Sequence, residues 1–296
     1  VRVSELEHLD RNDLRDIVVS AHGKYVAALY KNRLRCFRAQ PGETIFTTDE
    51  LTWDPFCFVV LEEKRQVLVG DERGVVHVFD MDSGQETYSW QAHAFIVHSM
   101  EVSSAGDLLA TSVARQDRFG NPAPAAAVTD AKLKIWNTAD FSSHGCAVDH
   151  TRFLAFSPDG RQYATSTNSG LSTLIILWDT KTSNPQAVMR GHRDSLIDFA
   201  MYSPNGGWLV VGRGSGKLLS LYDTMAGKLA FRLYNSGVDY KQVWFTERGD
   251  LAALCRDGMI HYFRLENTAN AVPPTQDVPT AAELKFEADL FRDAGL

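Results

Sequence analysis

One glycine-rich stretch resembles a phosphate-binding loop in composition but not in spacing. Residues 212–217 read G-R-G-S-G-K. A phosphate-binding loop needs G-x-x-x-x-G-K followed by Ser or Thr, and then a helix. Here the two outer glycines are one residue too close together, Leu218 follows the lysine, and no helical pattern comes after it. We therefore predict a glycine-rich hairpin between two strands.

Histidine is a common metal ligand and general base, but its distribution here argues against both roles. His93, His150 and His192 each precede an apolar segment, one histidine per segment. Ligands must converge on one ion to hold it, and a histidine in each repeated segment is spread around the fold. The sequence has no G-x-S-x-G and no H-E-x-x-H. We predict no metal, no cofactor and no catalytic residue; a hydrolase that gathers its groups from separate segments is the alternative.

The four cysteines indicate structural roles. No pair forms C-x-x-C, which argues against zinc-ribbon and redox motifs. Cys36, Cys57 and Cys255 lie within apolar runs, and we expect them to be small buried hydrophobic residues. Such cysteines fit a reducing compartment, so we expect a cytoplasmic protein.

Charge and hydropathy argue against two classes of partner. The 296 residues carry a formal net charge of −7, which disfavours bulk attraction to nucleic acid or to an anionic membrane. No apolar run approaches the about 20 residues that span a bilayer. The first five residues, V-R-V-S-E, are charged too early for a signal peptide. Because the sequence does not begin with Met, processing and a longer parent chain both stay open.

Residues 153–179 show how the chain is built. An apolar run, F-L-A-F, leads into the turn S-P-D-G, and a second run ends in Y-A-T-S. A polar N-S-G connection then precedes a third run, which Trp178-Asp179 closes. Short runs rich in β-branched or aromatic residues, bounded by Gly, Pro, Asn or Ser, predict antiparallel strands joined by turns.

This unit recurs along the chain with a period near forty. An aromatic residue closes each third strand, at Phe37, Phe79, Trp136, Trp178, Tyr222 and Phe263. The intervals are 42, 57, 42, 44 and 41 residues, and the long one reflects an insertion at 114–132. A period of about 40–45 residues with four strands per repeat predicts an all-β propeller.

At these motifs the sequence resembles the WD40-repeat family. Trp178-Asp179, Gly191-His192 and the S-P-D-G turn match its features outright, and Tyr222-Asp223 and Phe79-Asp80 are near matches. The resemblance covers residues 10–266. It implies a non-catalytic interaction platform, and it gives His192 a structural role beneath the Trp of its blade.

The strand count favours six blades, with seven as the alternative. Outer strands are predicted near residues 43–47, 86–90, 142–148, 186–189 and 228–232. No sixth outer strand follows Phe263, so we expect residues 2–9 to supply it and leave few exposed edges. We assign residues 1–266 to the propeller and 267–296 to a Pro-containing linker and a short amphipathic helix. A capping box at 280–283 opens that helix.

Arginines in the turns between second and third strands give the candidate site. In the family's topology these turns share a face with the loops that enter each first strand, and the 114–132 insertion joins them. Arg pairs well with carboxylate and phosphate, so we predict docking of an acidic or phosphorylated protein segment, with exposed aromatic residues as anchors. The predicted residues are Trp53, Arg73, Phe95, Arg118, Phe119, Arg193, Arg213, Tyr240 and Arg256.

Two simpler interpretations compete with that site. Acidic residues in the same turns, among them Asp71 and Glu72, could neutralise the arginines and leave only solvated turn charges. Trp53 could belong to the core. For the protein as a whole we predict a scaffold subunit of a larger assembly; a sensor or scaffold domain of a multidomain signalling or NTPase protein is the alternative.

Overall fold

The computed structural model describes residues 14–30, 32–40, 42–113, 133–145, 151–168, 173–190, 197, 199–212, 218–234, 240–246, 249–255 and 259–265. The chain divides into two compact units, residues 1–146 and 147–296, which we treat separately as unit 1 and unit 2. Within the described ranges, no helix has the length and apolar character that a membrane crossing requires.

Unit 1 contains three antiparallel sheets of four strands each, and the strands follow one another in sequence order. The first sheet is β1 (Leu14–Val19), β2 (Tyr25–Tyr30), β3 (Arg33–Arg38) and β4 (Thr44–Thr47). The second is β5 (Pro55–Leu61), β6 (Gln66–Asp71), β7 (Val75–Asp80) and β8 (Glu86–Gln91). The third is β9 (Val97–Val102), β10 (Leu108–Val113), β11 (Leu133–Asn137) and β12 (Ser143–Gly145).

Unit 2 repeats the pattern with one strand fewer among its described residues. The fourth sheet is β13 (Thr151–Phe156), β14 (Gln162–Asn168), β15 (Thr173–Asp179) and β16 (Pro185–Arg190). The fifth is β17 (Phe199–Tyr202), β18 (Trp208–Gly212), β19 (Leu218–Asp223) and β20 (Lys228–Tyr234). The sixth has three strands, β21 (Tyr240–Phe245), β22 (Leu251–Cys255) and β23 (Ile260–Phe263).

The first hairpin is built by the same turn chemistry in several of the sheets. In the third, fourth and fifth sheets the Ser that opens the turn accepts a hydrogen bond from a backbone N–H five residues later; these are Ser103, Ser157 and Ser203, at 3.1, 2.9 and 2.9 Å. A glycine with positive φ completes the turn, as at Gly160. The second sheet lacks that glycine; a 3-10 turn at Glu62–Lys64 and a left-handed Arg65, with φ of 52°, replace it.

The hairpin between the third and fourth strands repeats as well. In the first five sheets, the residue four positions after the last residue of the third strand is left-handed. It is Gly42, Gly84 and Gly227 in three sheets but Phe141 and Ser183 in two. In the fourth sheet, Asp179 holds this turn, because its Oδ1 accepts from the N–H groups of Lys181 at 3.0 Å and Thr182 at 2.8 Å.

Apolar side chains of neighbouring sheets form the core within each unit. One cluster joins the first and second sheets around Leu34, Phe58 and Phe79, and another joins the second and third around Leu68, Val97 and Trp136. In unit 2, Leu177 and Tyr222 share a cluster of the fourth and fifth sheets. The aromatic residue that closes each third strand is therefore a core residue, except that Phe263 is only partly buried.

Several predictions from the sequence are confirmed, and others lie outside the described residues. All five predicted outer strands form, although the third has only three residues. The glycine-rich stretch lies between two paired strands, as predicted, since β18 ends at Gly212 and pairs antiparallel with β19, which begins at Leu218; residues 213–217 themselves are not described. Cys36 and Cys255 are buried free thiols, and Cys57 is a half-buried one. The 114–132 insertion, the strand at residues 2–9 and the C-terminal helix fall on residues that are not described.

Candidate functional site

The described part of the predicted site lies at one end of the strands of unit 1, where the turns connect them. We call this side of the sheets the loop edge. It comprises the β2–β3 and β6–β7 turns and the segments that lead into β5 and β9. Its principal side chains are Asn32, Trp53, Asp54, Arg73 and Phe95. The β1–β2 and β3–β4 turns lie at the opposite edge of the first sheet, because successive strands run antiparallel.

Asp71 builds the turn that presents Arg73. Its Oδ1 accepts hydrogen bonds from the backbone N–H groups of Arg73 at 2.9 Å and Val75 at 2.7 Å. Asp71 is only 2% exposed, whereas Arg73 is exposed. The Asp71 carboxylate is therefore buried and accepts hydrogen bonds within its own turn, and its neutralisation of the Arg73 charge stays a prediction.

The same turn is fixed to the segment that leads into β9. The Gly74 carbonyl accepts from Ala92 N–H at 2.9 Å and from His93 N–H at 3.0 Å. The Gln91 amide donates to the carbonyl oxygens of Arg73 at 2.7 Å and His93 at 2.6 Å. The backbone of four residues is thus held together before Phe95, which is half-buried. Such a rigid frame reduces the ordering cost of binding.

The segment before β5 is anchored to both neighbouring turns. The Asn32 amide donates to the carbonyl oxygen of Trp53 at 3.1 Å, and Glu72 N–H donates to the carbonyl oxygen of Asp54 at 3.1 Å. The Asp54 carboxylate pairs with Arg15 at 3.1 Å. The loop edge therefore carries a mixed pattern of charge and not a purely basic one.

Trp53 is a packing residue as much as a surface residue. Its ring stacks on the His77 imidazole with centroids 3.8 Å apart and an angle of 6° between the planes. It is half-buried and also packs against the core cluster that contains Phe79. This supports the interpretation of Trp53 as a core residue.

His77 lies between two carboxylates beneath the loop edge. Its Nδ1 is 2.9 Å from Glu86 Oε1, and its Nε2 is 3.5 Å from Asp71 Oδ2. Burial lowers the pKa of His77, but the nearby carboxylates of Asp71 and Glu86 outweigh it, so the pKa lies above its ordinary value. The protonated imidazolium is the form that both carboxylates favour.

A second buried network joins the segment before β9 to the third sheet. The Thr111 hydroxyl lies 2.8 Å from His93 Nε2 and accepts from the Trp136 indole N–H, also at 2.8 Å. His93 is 1% exposed. The structural role that the family resemblance assigns to His192 is thus seen here at His93, while His192 lies outside the described residues.

The other predicted site residues divide into two groups. Tyr240 is 4% exposed and packs against the rings of His261 and Phe263. The expectation that it would be an exposed anchor is wrong, because Tyr240 is buried in a core cluster shared by the fifth and sixth sheets. The remaining predictions lie outside the described residues, namely Arg118, Phe119, Arg193, Arg213 and Arg256.

Sequence reasoning missed three contributors to this edge, Arg15, Asn32 and His77. Arg15 and Asn32 are polar residues near strand ends, a common pattern with no distinguishing signal. His77 sits in the run V-V-H-V-F, where one polar residue between apolar ones on both sides was a usable signal. A charged or polar residue inside a buried strand needs partners, and that need could have directed attention to Asp71 and Glu86.

The comparison with known families agrees with this architecture. Residues 183–223 match the family model described as WD domain, G-beta repeat, which runs from just before β16 to the end of β19. Together with the six repeated sheets, the match supports membership of the chain in the WD40-repeat family. A search of the curated proteins found no match. WD40 domains are typically protein-interaction scaffolds and are usually not catalytic.

Proposed function

We propose that this protein is a non-catalytic scaffold subunit that binds a protein segment at the loop edge. The observation that carries the proposal is the contrast at Arg73. The turn below it is fixed by Asp71 and Gly74, yet its own side chain is exposed and makes no hydrogen bond or ion pair within the described ranges. A rigid turn that displays an unused guanidinium is suited to a carboxylate or phosphate on a partner.

Two features support a partner that combines charge with an apolar residue. Phe95 and Trp53, which follow and precede the β6–β7 turn in the chain, are both half-buried, so neither residue is wholly removed from solvent. Aromatic residues and arginine are the commonest anchors of protein interfaces. We propose an acidic or phosphorylated segment as the ligand, with the 114–132 insertion contributing to its site.

A charge-reversal pair tests the proposal. Proteins captured with the intact chain are first identified by mass spectrometry. The affinity of each captured protein is then measured for the wild type and for the Arg73→Glu and Arg38→Glu variants. Arg38 is also exposed but ends β3 at the opposite edge, so it is a matched control. We expect Arg73→Glu to weaken binding by about tenfold or more and Arg38→Glu to leave it unchanged.

The same pair defines the result that overturns the proposal. If both substitutions weaken binding equally, or if neither does, the loop edge is not the docking site. Adding Arg213→Glu and Arg256→Glu to Arg73→Glu then extends the test to two of the other predicted arginines. A further loss beyond the single variant would support the wider basic site.

We also propose that residues 2–9 supply a fourth strand beside β23. The sixth sheet has three described strands where the others have four, and Ile260 and Tyr262 in β23 are exposed. An open edge of this kind is normally paired or covered. Deleting residues 1–9 should expose the β23 amides to hydrogen exchange, whereas deleting 267–296 should not; equal protection in both would count against the pairing.

The compartment is part of the proposal too. Cys36, Cys57 and Cys255 are free thiols, two of them buried in the sheets. Burial raises the pKa of the Cys36 thiol to about 12, so it stays protonated and unreactive at neutral pH. Free structural thiols fit a reducing cytoplasm. Labelling with a thiol reagent in intact cells, before and after unfolding, would reveal a disulfide if this placement is wrong.

A further inference from the structure

We propose that protonation of His77 controls the arrangement of Trp53 and of the β6–β7 turn, and through them partner binding at the loop edge. The part of this inference that concerns binding rests on the proposed function. The part that concerns the arrangement of the two elements does not, because it follows from contacts inside unit 1.

A local irregularity of the second sheet puts Glu86 beside His77. The β7–β8 ladder pairs His77 with Ser89 and Val78 with Tyr88, and then shifts register so that Phe79 faces Glu86. Without the shift, Thr87 would be opposite Phe79. The bulge therefore places a carboxylate on the face of the sheet that Trp53 covers.

The two protonation states of His77 satisfy their neighbours differently. The imidazolium has two N–H groups: Nδ1 hydrogen-bonds to Glu86 at 2.9 Å, and Nε2 makes an ion-pair contact of 3.5 Å with Asp71 without a hydrogen bond. Neutral imidazole has only one N–H. If the shorter contact to Glu86 keeps it, the lone pair on Nε2 faces the Asp71 carboxylate, which is buried and cannot turn to water.

Loss of the His77 proton has two consequences at the loop edge. The other oxygen of Asp71 holds the N–H groups of Arg73 and Val75, so a shift of this carboxylate loosens the turn that presents Arg73. The stacked face of His77 carries Trp53, and an aromatic ring attracts an imidazolium more strongly than a neutral imidazole. The protonated state therefore favours the arrangement seen in the structure, in which Trp53 stacks on His77 and Asp71 holds the β6–β7 turn. We call this the compact arrangement.

The surroundings of His77 contain few other groups that titrate. Asp71 comes from the end of β6 and Glu86 from the start of β8. From the segment before β5, Trp53 faces the ring, while the Asp54 carboxylate that follows it is paired with Arg15. The cluster beyond Trp53 is apolar apart from the Cys36 thiol and the Tyr25 hydroxyl, and the latter is bonded to Arg65.

The coupling has a definite direction. Because the pKa of His77 is raised above the ordinary value of 6.5, the compact arrangement is fully present below that value and is lost as pH rises through the folded-state pKa. Partner affinity should therefore fall with rising pH. Coupling of this kind is typically about fivefold or more in affinity.

The structural arm of the test needs no partner. The His77 ring, the Trp53 indole N–H and the amides of Arg73 and Val75 are followed by NMR and hydrogen exchange from pH about 5.5 to about 8.5. We expect all four signals to change with one midpoint above that of an unperturbed histidine. His77→Gln should abolish the change at Trp53, Arg73 and Val75, whereas His22→Gln, at a half-exposed histidine of the opposite edge, should preserve it.

Each outcome decides the matter. If Trp53 and both amides stay constant while His77 titrates, the coupling does not exist, and the wild-type titration shows this even if His77→Gln fails to fold. If they titrate together but the affinity of a captured partner does not depend on pH, the partner binds elsewhere. The second result overturns the proposed function and leaves the coupling standing.

Discussion

Gly74 lies so close to His93 that a Cβ atom added to it would come within 2.0 Å of the His93 carbonyl oxygen. The same Cβ would lie 2.6 Å from the carbonyl oxygen of Phe95. Backbone cannot move aside as a flexible side chain can, so the contact admits only glycine. Gly74 also has a φ of +85°, a conformation that side chains disfavour. The β6–β7 turn and the segment that leads into β9 can therefore pack this closely only because residue 74 has no Cβ atom.

Replacing this glycine should be costly for stability. We expect Gly74→Ala to lower the free energy of unfolding by more than about 2 kcal/mol, since it adds a backbone clash to the usual cost of about 1–2 kcal/mol for a left-handed alanine. Gly23→Ala is the matched control, because Gly23 has a φ of +72° and open space around its Cβ position. Urea denaturation compares the two. Equal losses would show that the close approach contributes nothing.

Ser183 offers the reverse experiment. It occupies the left-handed position that is glycine in three other sheets, with φ of 54°, and its buried hydroxyl oxygen has no hydrogen-bond partner in the described part of the chain. Ser183→Gly relieves both problems, and we expect a gain of about 1 kcal/mol in the free energy of unfolding. Ser83→Gly should be destabilising, because the Ser83 hydroxyl donates to Asp80 at 2.7 Å. A loss of stability in Ser183→Gly would contradict the strain argument.

The repeated sheets could be predicted from the sequence because their determinants are local. Ser157 sets its hairpin turn through hydrogen bonds to residues at most five positions away, and the aromatic residue of each third strand recurs at the spacing of four strands. The first hairpin of the second sheet lacks the turn glycine, yet it forms with a different turn. Arg65 takes the left-handed position of the missing glycine, and its guanidinium bonds to Asp82 and to the Tyr25 hydroxyl.

The candidate site was harder to predict because its contacts join residues far apart in sequence. Arg73 was identified from its turn, but the sequence does not reveal that Asp71 faces inward, since an Asp in D-E-R-G suits both a solvated turn and a capped one. The neighbourhood of His77 depends on a one-residue register shift in β8. Such a shift exchanges the faces of a strand, and no periodicity in the sequence records it.

The network of Thr111 and Trp136 should hold the third sheet together. Thr111→Val keeps the shape of the side chain but leaves the buried indole N–H of Trp136 without its acceptor, which should cost about 1–3 kcal/mol. Thr44→Val, at an exposed strand position, should be nearly neutral. A double-mutant cycle with Trp136→Phe separates the hydrogen bond from packing: the double variant should lose less than the sum of the two single variants. Strict additivity would mean that the bond does not stabilise the fold.

Asp179 should make unfolding depend on acid pH. N–H donation from Thr182, the Thr182 hydroxyl and the N–H of Lys181 hold the pKa of Asp179 below its ordinary value of 3.8. A carboxylate with a lowered pKa contributes stability above 3.8 and loses it as pH falls through the folded-state pKa. Asp179→Ala should therefore be less stable than wild type near neutral pH, by about 1 kcal/mol, and the gap should narrow in acid.

Asp179→Asn supplies the control for that prediction. Its amide oxygen can still accept from the same N–H groups, but it carries no proton that titrates in this range. The difference in unfolding free energy between Asn and Ala variants should therefore stay constant with pH, while the difference between wild type and Ala changes. Urea denaturation of the three proteins at neutral pH and below pH 3.8 measures both quantities. If the difference in unfolding free energy between wild type and Asp179→Ala is the same at both pH values, the Asp179 oxygen stabilises the turn only as a hydrogen-bond acceptor, and the negative charge of the carboxylate contributes nothing.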